Sequence, residues 1–147
     1  MANILYIPFY KVGEGEIREW ANELAKYGVY VYYYGDNFTV KAGDILVVNA
    51  HGSSKTTKAY DNQGEDTDLD VLLSELDKMK AHKAERVIFF ICFSAQGGHV
   101  ADQFKQLNPD TEVWGSIGVA QGPVAKTTRT GIRGGLFGDD YKRLTEM

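Results

Sequence analysis

Two stretches of the chain, residues 44–50 (DILVVNA) and 86–92 (RVIFFIC), run apolar through consecutive positions where a half-buried strand would alternate with polar ones. Such a strand must be covered on both faces, the condition of a central strand in a parallel sheet with helices above and below. The flanking segments supply those helices. Ile17, Trp20, Ala21, Leu24 and Ala25 fall at helical offsets before Gly28, and Leu69, Leu72, Leu73, Leu76 and Met79 repeat the spacing. Around the second of these, Asp66, Asp68 and Asp70 stand at the front and Lys78, Lys80 and Lys83 toward the end, as the helix dipole favours. Val100, Ala101, Phe104 and Leu107 mark a third helical face before Pro109. Three further strands are predicted at residues 3–10, at 29–36, where β-branched and aromatic residues predominate, and at 112–118 (EVWGSIG).

Strands alternating with helices, without repeat or change of composition, predict one α/β domain over residues 1–147. The expected form is a three-layer sandwich with a mainly parallel sheet of five to six strands in the order 2-1-3-4-5. The length of 147 residues suits one domain, and 44% apolar with 24% charged residues argues against disorder, collagen and coiled coil. Residues 38–41 are read as a short extended segment. Residues 53–66, polar and aperiodic, are predicted as a long surface loop. From about residue 119 the chain becomes irregular. Gly131, Gly134, Gly135 and Gly138 suggest a mobile tail or a loop over a cleft, ahead of a helical turn at 141–146.

Sixteen Lys and Arg against twenty Asp and Glu give a net charge of −4 without a basic block, so nucleic acid is not an expected partner. A single cysteine forms no internal disulfide. The N-terminus shows neither a basic leader nor a long apolar run, so cytoplasmic folding and no membrane partner are expected, with delivery by a non-classical route left open.

In a parallel α/β sheet, reactive groups collect at the carboxyl ends of the strands, on either side of the point where the winding reverses. Here the two doubly buried strands both end in reactive side chains, in VVNAHGSS at His51 and in FFICFSAQGG at Cys92. On neighbouring strands about 4.8 Å apart, the two would face one another across a small cleft. A thiol must lose its proton to attack a carbonyl, and an imidazole can serve as base and later as acid. Gly52 lets the backbone approach a substrate closely, so its N–H and that of Cys92 would form an oxyanion hole. Taken singly, each residue also suits a structural part; their joint placement favours chemistry.

The succession of apolar strand, His-Gly, long loop, helix, apolar strand, Cys and small-residue turn resembles the caspase-like cysteine peptidases, over roughly residues 3–118. The resemblance implies a caspase-like, flavodoxin-like sheet with His51 after the third strand and Cys92 after the fourth. It further implies oxyanion donors at Gly52 and Cys92, a substrate pocket lined in part by Trp114, Gly115 and Ser116, a peptide or protein substrate, and no cofactor. The rival reading is a catalytically silent binding module that uses the strand-end cleft or the edge carrying Tyr30, Tyr32 and Tyr34.

Other sites are less well supported. Gly13-Glu14-Gly15 follows the first strand as a dinucleotide fingerprint would, but Arg18 stands at the third glycine position and Glu14 and Glu16 would repel a pyrophosphate. His51, Cys92 and His99 lack an evident fourth zinc ligand. Asp61, Glu65, Asp66 and Asp68 miss the spacing of a calcium loop, and His82 reads as a solvated helix end. Tyr30, Tyr32 and Tyr34 share one side of the second strand, either beneath a covering element or as a homo-oligomer contact through the 29–34 edge.

Overall fold

The computed structural model describes residues 2–26, 28–118 and 141–144. Strand β1 (Asn3–Ile7), helix α1 (Glu16–Lys26), β2 (Tyr30–Tyr33) and β3 (Ile45–Asn49) come first. Three short strands follow, β4 (His51–Ser53), β5 (Thr56–Tyr60) and β6 (Asp66–Thr67). Then come helix α2 (Leu69–Lys78), a 3₁₀ turn (Ala81–Lys83), β7 (Arg86–Phe90), α3 (Val100–Leu107), β8 (Glu112–Ser116) and β9 (Tyr141–Leu144). The main sheet runs β2-β1-β3-β7-β8-β9, the first five strands parallel and β9 antiparallel to β8. The fold is thus α/β with a mainly parallel sheet.

Every residue of β3 is buried, as are Val87, Ile88 and Phe89 of β7. Helices cover both faces, and two neighbouring side chains show it. Phe90 stacks on Trp20 of α1, with ring centroids 4.8 Å apart, whereas Phe89 meets Phe104 of α3 edge-on at 5.5 Å. Successive strand residues point to opposite faces, so α1 and α3 lie on opposite sides of the sheet. Ile17, Trp20, Ala21 and Leu24 of α1 are buried, and so are Leu72 and Leu76 of α2. Burial of this kind stabilises by about 25 cal/mol per Å² of apolar surface.

Three sequence expectations are corrected. The predicted loop at 53–66 is instead a small antiparallel sheet, β4-β5-β6, standing on the carboxyl end of β3. Thr56-Thr57-Lys58-Ala59-Tyr60 has the β-branched and aromatic content of a strand, and Ala59 is its one fully buried anchor. Where the sequence predicts a helical turn from residue 141, Tyr141–Leu144 form strand β9, because β8 has an open edge whose backbone groups an extended neighbour can satisfy. Leu107 is 66% exposed: helical spacing marks a face, not how far the sheet extends beneath it. Outside these, Phe38 of the 38–41 segment stacks on Tyr32 at 4.1 Å and so covers the tyrosine side of β2, while Tyr30 remains exposed. The glycine-rich stretch before residue 141 lies outside the described residues.

Phe89 and Leu107 give opposite expectations. Phe89→Ala leaves a cavity between β7 and α3 and should cost about 3 to 5 kcal/mol in urea unfolding. Leu107→Ala should stay within about 0.5 kcal/mol of wild type.

Candidate functional site

The register of β3 and β7 pairs Asn49 with Phe90. His51 and Cys92 each lie two residues past that pair, just beyond the matching carboxyl ends of the adjacent parallel strands β3 and β7. Both are half-buried. His51 opens β4, where it pairs with Tyr60 of β5, so the small sheet holds its backbone. Its Nε2 lies 2.8 Å from Asn62 Oδ1.

Gly52 lies directly against the Cys92 carbonyl and the Ile91 side chain. A Cβ at this position would run into both, which explains the glycine by close approach alone. Gly52 and Cys92 also share a narrow crevice of about 10 Å³ with Ile91, Ser94, His99 and Leu72, room for roughly one water. Beyond Cys92 the chain turns sharply. Phe93 adopts a left-handed backbone (φ 60°), which costs a bulky residue on the order of 1 to 3 kcal/mol and persists only where surrounding bonds enforce it. Those bonds are present. Phe93 N–H donates to the Gly118 carbonyl (2.8 Å), Ala95 N–H to that of Ser116 (2.9 Å), and the Ser94 hydroxyl to that of Phe89 (3.2 Å). Asp102, in the first turn of α3, accepts the Gly98 N–H at 2.7 Å and closes the far end of the turn.

Of the residues the resemblance assigned to a substrate pocket, Ser116 is fully buried. It sits beneath this turn, its N–H donating to Ser94 Oγ. Gly115 packs against Ala101, Ser94 and Ala95, where a side chain would clash. Trp114 is half-buried, its indole N–H donating to Glu112 at 2.9 Å. The structure thus brings Gly52 against Cys92 and sets Gly115 and Ser116 under the turn that follows Cys92.

Asn62 went unnoticed in the sequence, because its place depends on a hairpin read as loop. The turn that carries it is built by Asp61, whose Oδ1 accepts the N–H groups of Gln63 and Glu65, both at 2.8 Å. This turn docks on the loop between β1 and α1. Gln63 lies on Gly13 and accepts its N–H at 3.1 Å, and the Asn62 amide lies on Gly15, which has positive φ. Gly13 and Gly15, the glycines of the rejected fingerprint, are here the seats of two side chains. A cleft of about 830 Å³ borders the same turn, lined by Phe9, Tyr10, Arg18, Tyr34, Asp61 and Glu65 among others, but by neither His51 nor Cys92.

The acidic residues weighed as a cation loop have other partners: Asp61 caps its turn, and Asp66 and Asp68 pair with Lys58 at 3.3 and 3.5 Å. Among the described residues, no three His, Cys, Asp or Glu side chains are grouped so as to hold a metal ion, and no helix is long and apolar enough to cross a membrane. His82 is exposed in the 3₁₀ turn. His99 is the N-cap of α3 and lines the Cys92 crevice. Burial holds its imidazole below the ordinary value, with the Asp102 carboxylate pulling the other way.

No family model and no curated protein matches the sequence.

Gly52→Ala should lower stability by about 1 to 3 kcal/mol in thermal melts, because the Cys92 backbone must shift, whereas Gly97→Ala, which meets open space, should be neutral. His99 yields a pH prediction. Its folded value lies below the unfolded one of about 6.5, so the unfolded chain takes up the proton more readily, and stability rises with pH through the interval between the two. Acidification from about pH 7.5 to about pH 5 should therefore destabilise wild type more than His99→Gln.

Proposed function

We propose that the protein is a caspase-like cysteine peptidase, or a closely related thiol acyl-transfer enzyme, acting on a peptide or protein substrate with Cys92 as nucleophile and His51 as general base and acid. The observation that carries this reading is the Asn49–Phe90 register, with His51 and Cys92 each two residues beyond it, just past the carboxyl ends of adjacent central strands. The strained turn after Cys92 supports it, since backbone strain of this kind clusters at reactive groups.

In the proposed reaction the Cys92 thiol gives its proton to the His51 imidazole while Sγ bonds to the substrate carbonyl carbon. The carbonyl electron pair moves to oxygen, and the N–H groups of Gly52 and Cys92 are the donors assigned to that oxyanion. Collapse re-forms the carbonyl and breaks the C–N bond, with the departing amine taking the proton from His51. Water, deprotonated by the same imidazole, then attacks the thioester, releasing the acid and the free thiol. Of the substrate wall implied by the resemblance, Trp114, Gly115 and Ser116, the first is half-buried and the other two are buried beneath the turn after Cys92.

One observation favours the rival binding module: the 830 Å³ cleft is lined by neither member of the dyad. A ligand held there by Tyr10, Tyr34 and Arg18 would need no chemistry.

A panel of peptidyl acyloxymethyl ketones with acidic, basic, amide and apolar residues next to the ketone separates the two. The peptidase reading expects covalent labelling that vanishes in Cys92→Ala, falls sharply in His51→Ala and is unchanged in His82→Ala. Failure of every member to label folded wild-type protein would leave the binding module as the better account.

A further inference from the structure

Asn62 makes the one side-chain hydrogen bond to the His51 ring found among the described residues, at 2.8 Å to Nε2 through its Oδ1. The other end of the same amide is costly. Its Nδ2 is buried with no hydrogen-bond partner, against the Gly15 backbone. A buried amide N–H₂ left unpaired works against folding, so a residue placed only to fill this space would be better apolar. Three neighbours nevertheless hold Asn62 where it is: Asp61 builds its turn, Gln63 bonds to the backbone of Gly13, and Gly15 leaves the space its amide occupies.

The consequence for the imidazole follows from the chemistry of its two nitrogens. A carbonyl oxygen only accepts, so Nε2 must carry a proton to bond to Oδ1, and in the neutral ring Nδ1 is then the unprotonated nitrogen. We propose that Asn62 is the positioning residue of the dyad: its Oδ1 holds the proton of neutral His51 on Nε2, so that the Nδ1 lone pair is the base that takes the Cys92 proton. This rests on the peptidase reading above and completes it, adding a third group that orients the base as the base activates the nucleophile. When Nδ1 gains the proton, the imidazolium keeps its Nε2–H bond, now charge-assisted, so the same contact stabilises the ring in the state that follows proton transfer. Asn62 touches neither thiol nor substrate in this scheme and acts through His51 alone.

Two measurements on wild type, Asn62→Ala and Asn62→Asp test the assignment. Nitrogen-15 NMR of the histidine side chains reports the His51 tautomer independently of activity, and the rate of Cys92 labelling by the best peptidyl acyloxymethyl ketone reports the dyad. Asn62→Asp keeps an acceptor oxygen in place; Asn62→Ala removes it. Wild type and Asn62→Asp should carry the neutral His51 proton on Nε2 and label at comparable rates. Asn62→Ala should populate both tautomers and label about tenfold more slowly, the worth of one hydrogen bond. A wild-type proton on Nδ1, or an Asn62→Ala variant unchanged in tautomer and rate, would overturn the role of Asn62 alone. If folded wild type does not label while its tautomer is as expected, the peptidase reading falls, and the positioning role with it. Circular dichroism of Asn62→Ala separates lost orientation from lost folding, and should Asn62→Ala unfold, a drop in labelling with Asn62→Leu and its absence with Asn62→Asp decide the same point.

Discussion

Burial of β3 and β7 on both faces is the constraint from which the rest of the molecule follows. Side chains such as Leu46, Val47, Ile88 and Phe89, none of them exposed, have no solvent side to turn to. Helices must therefore close both faces, and connections with intervening helices make the strands parallel. Parallel strands all end at the same edge. Just past that edge of β3 and β7, each two residues beyond the Asn49–Phe90 pairing, stand His51 and Cys92. Their matching places at the strand ends are thus a product of the packing that stabilises the domain.

Two local structures hold the chain beyond these strand ends. On the histidine side, β4, β5 and β6 fix the backbone of His51, and the Asp61 turn docks on the loop after β1 through Gln63 and Asn62. Thr67 adds a buried bond, its hydroxyl donating to the Pro8 carbonyl at 2.7 Å, which ties β6 to the same loop. On the cysteine side, Ser94 joins the end of β7 to β8 by donating to Phe89 and accepting from Ser116, and so over-determines the turn in which Phe93 is strained. Each half of the candidate site is held by bonds between segments far apart in sequence, the kind of scaffold that keeps a reactive group oriented without a bound ligand.

That long range also explains what was legible in the sequence. The helix faces of Ile17, Trp20 and Leu24, or of Leu72 and Leu76, repeat within a turn or two and are visible as spacing. So are the doubly buried strands. The β4-β5-β6 sheet was not visible because its stabilising partners are polar: Ser and Thr at the hairpin, Asp61 at the turn and Lys58 bridging Asp66 and Asp68 read as loop composition. Strand β9 pairs with β8 across more than twenty intervening residues, and four residues carry too little local preference to announce a strand. Within the site, His51, Gly52 and Cys92 stood out because they interrupt or end apolar runs. Asn62 had no such marker, since its importance lies in a hydrogen bond to a residue eleven positions away. A signal was present in Gly13 and Gly15, whose missing side chains make room for Gln63 and Asn62, but glycines after a first strand read more readily as a phosphate loop.

The central claim is that His51 activates Cys92, and the single cysteine of the chain makes it directly measurable. Intact-mass spectrometry of folded protein during brief exposure to iodoacetamide at neutral pH follows Cys92 alone, because thiolate is the reacting form. The account predicts that wild type gains one carbamidomethyl group several-fold faster than His51→Ala under identical conditions. Equal rates in the two proteins, or a thiol that reacts only after unfolding, would contradict it.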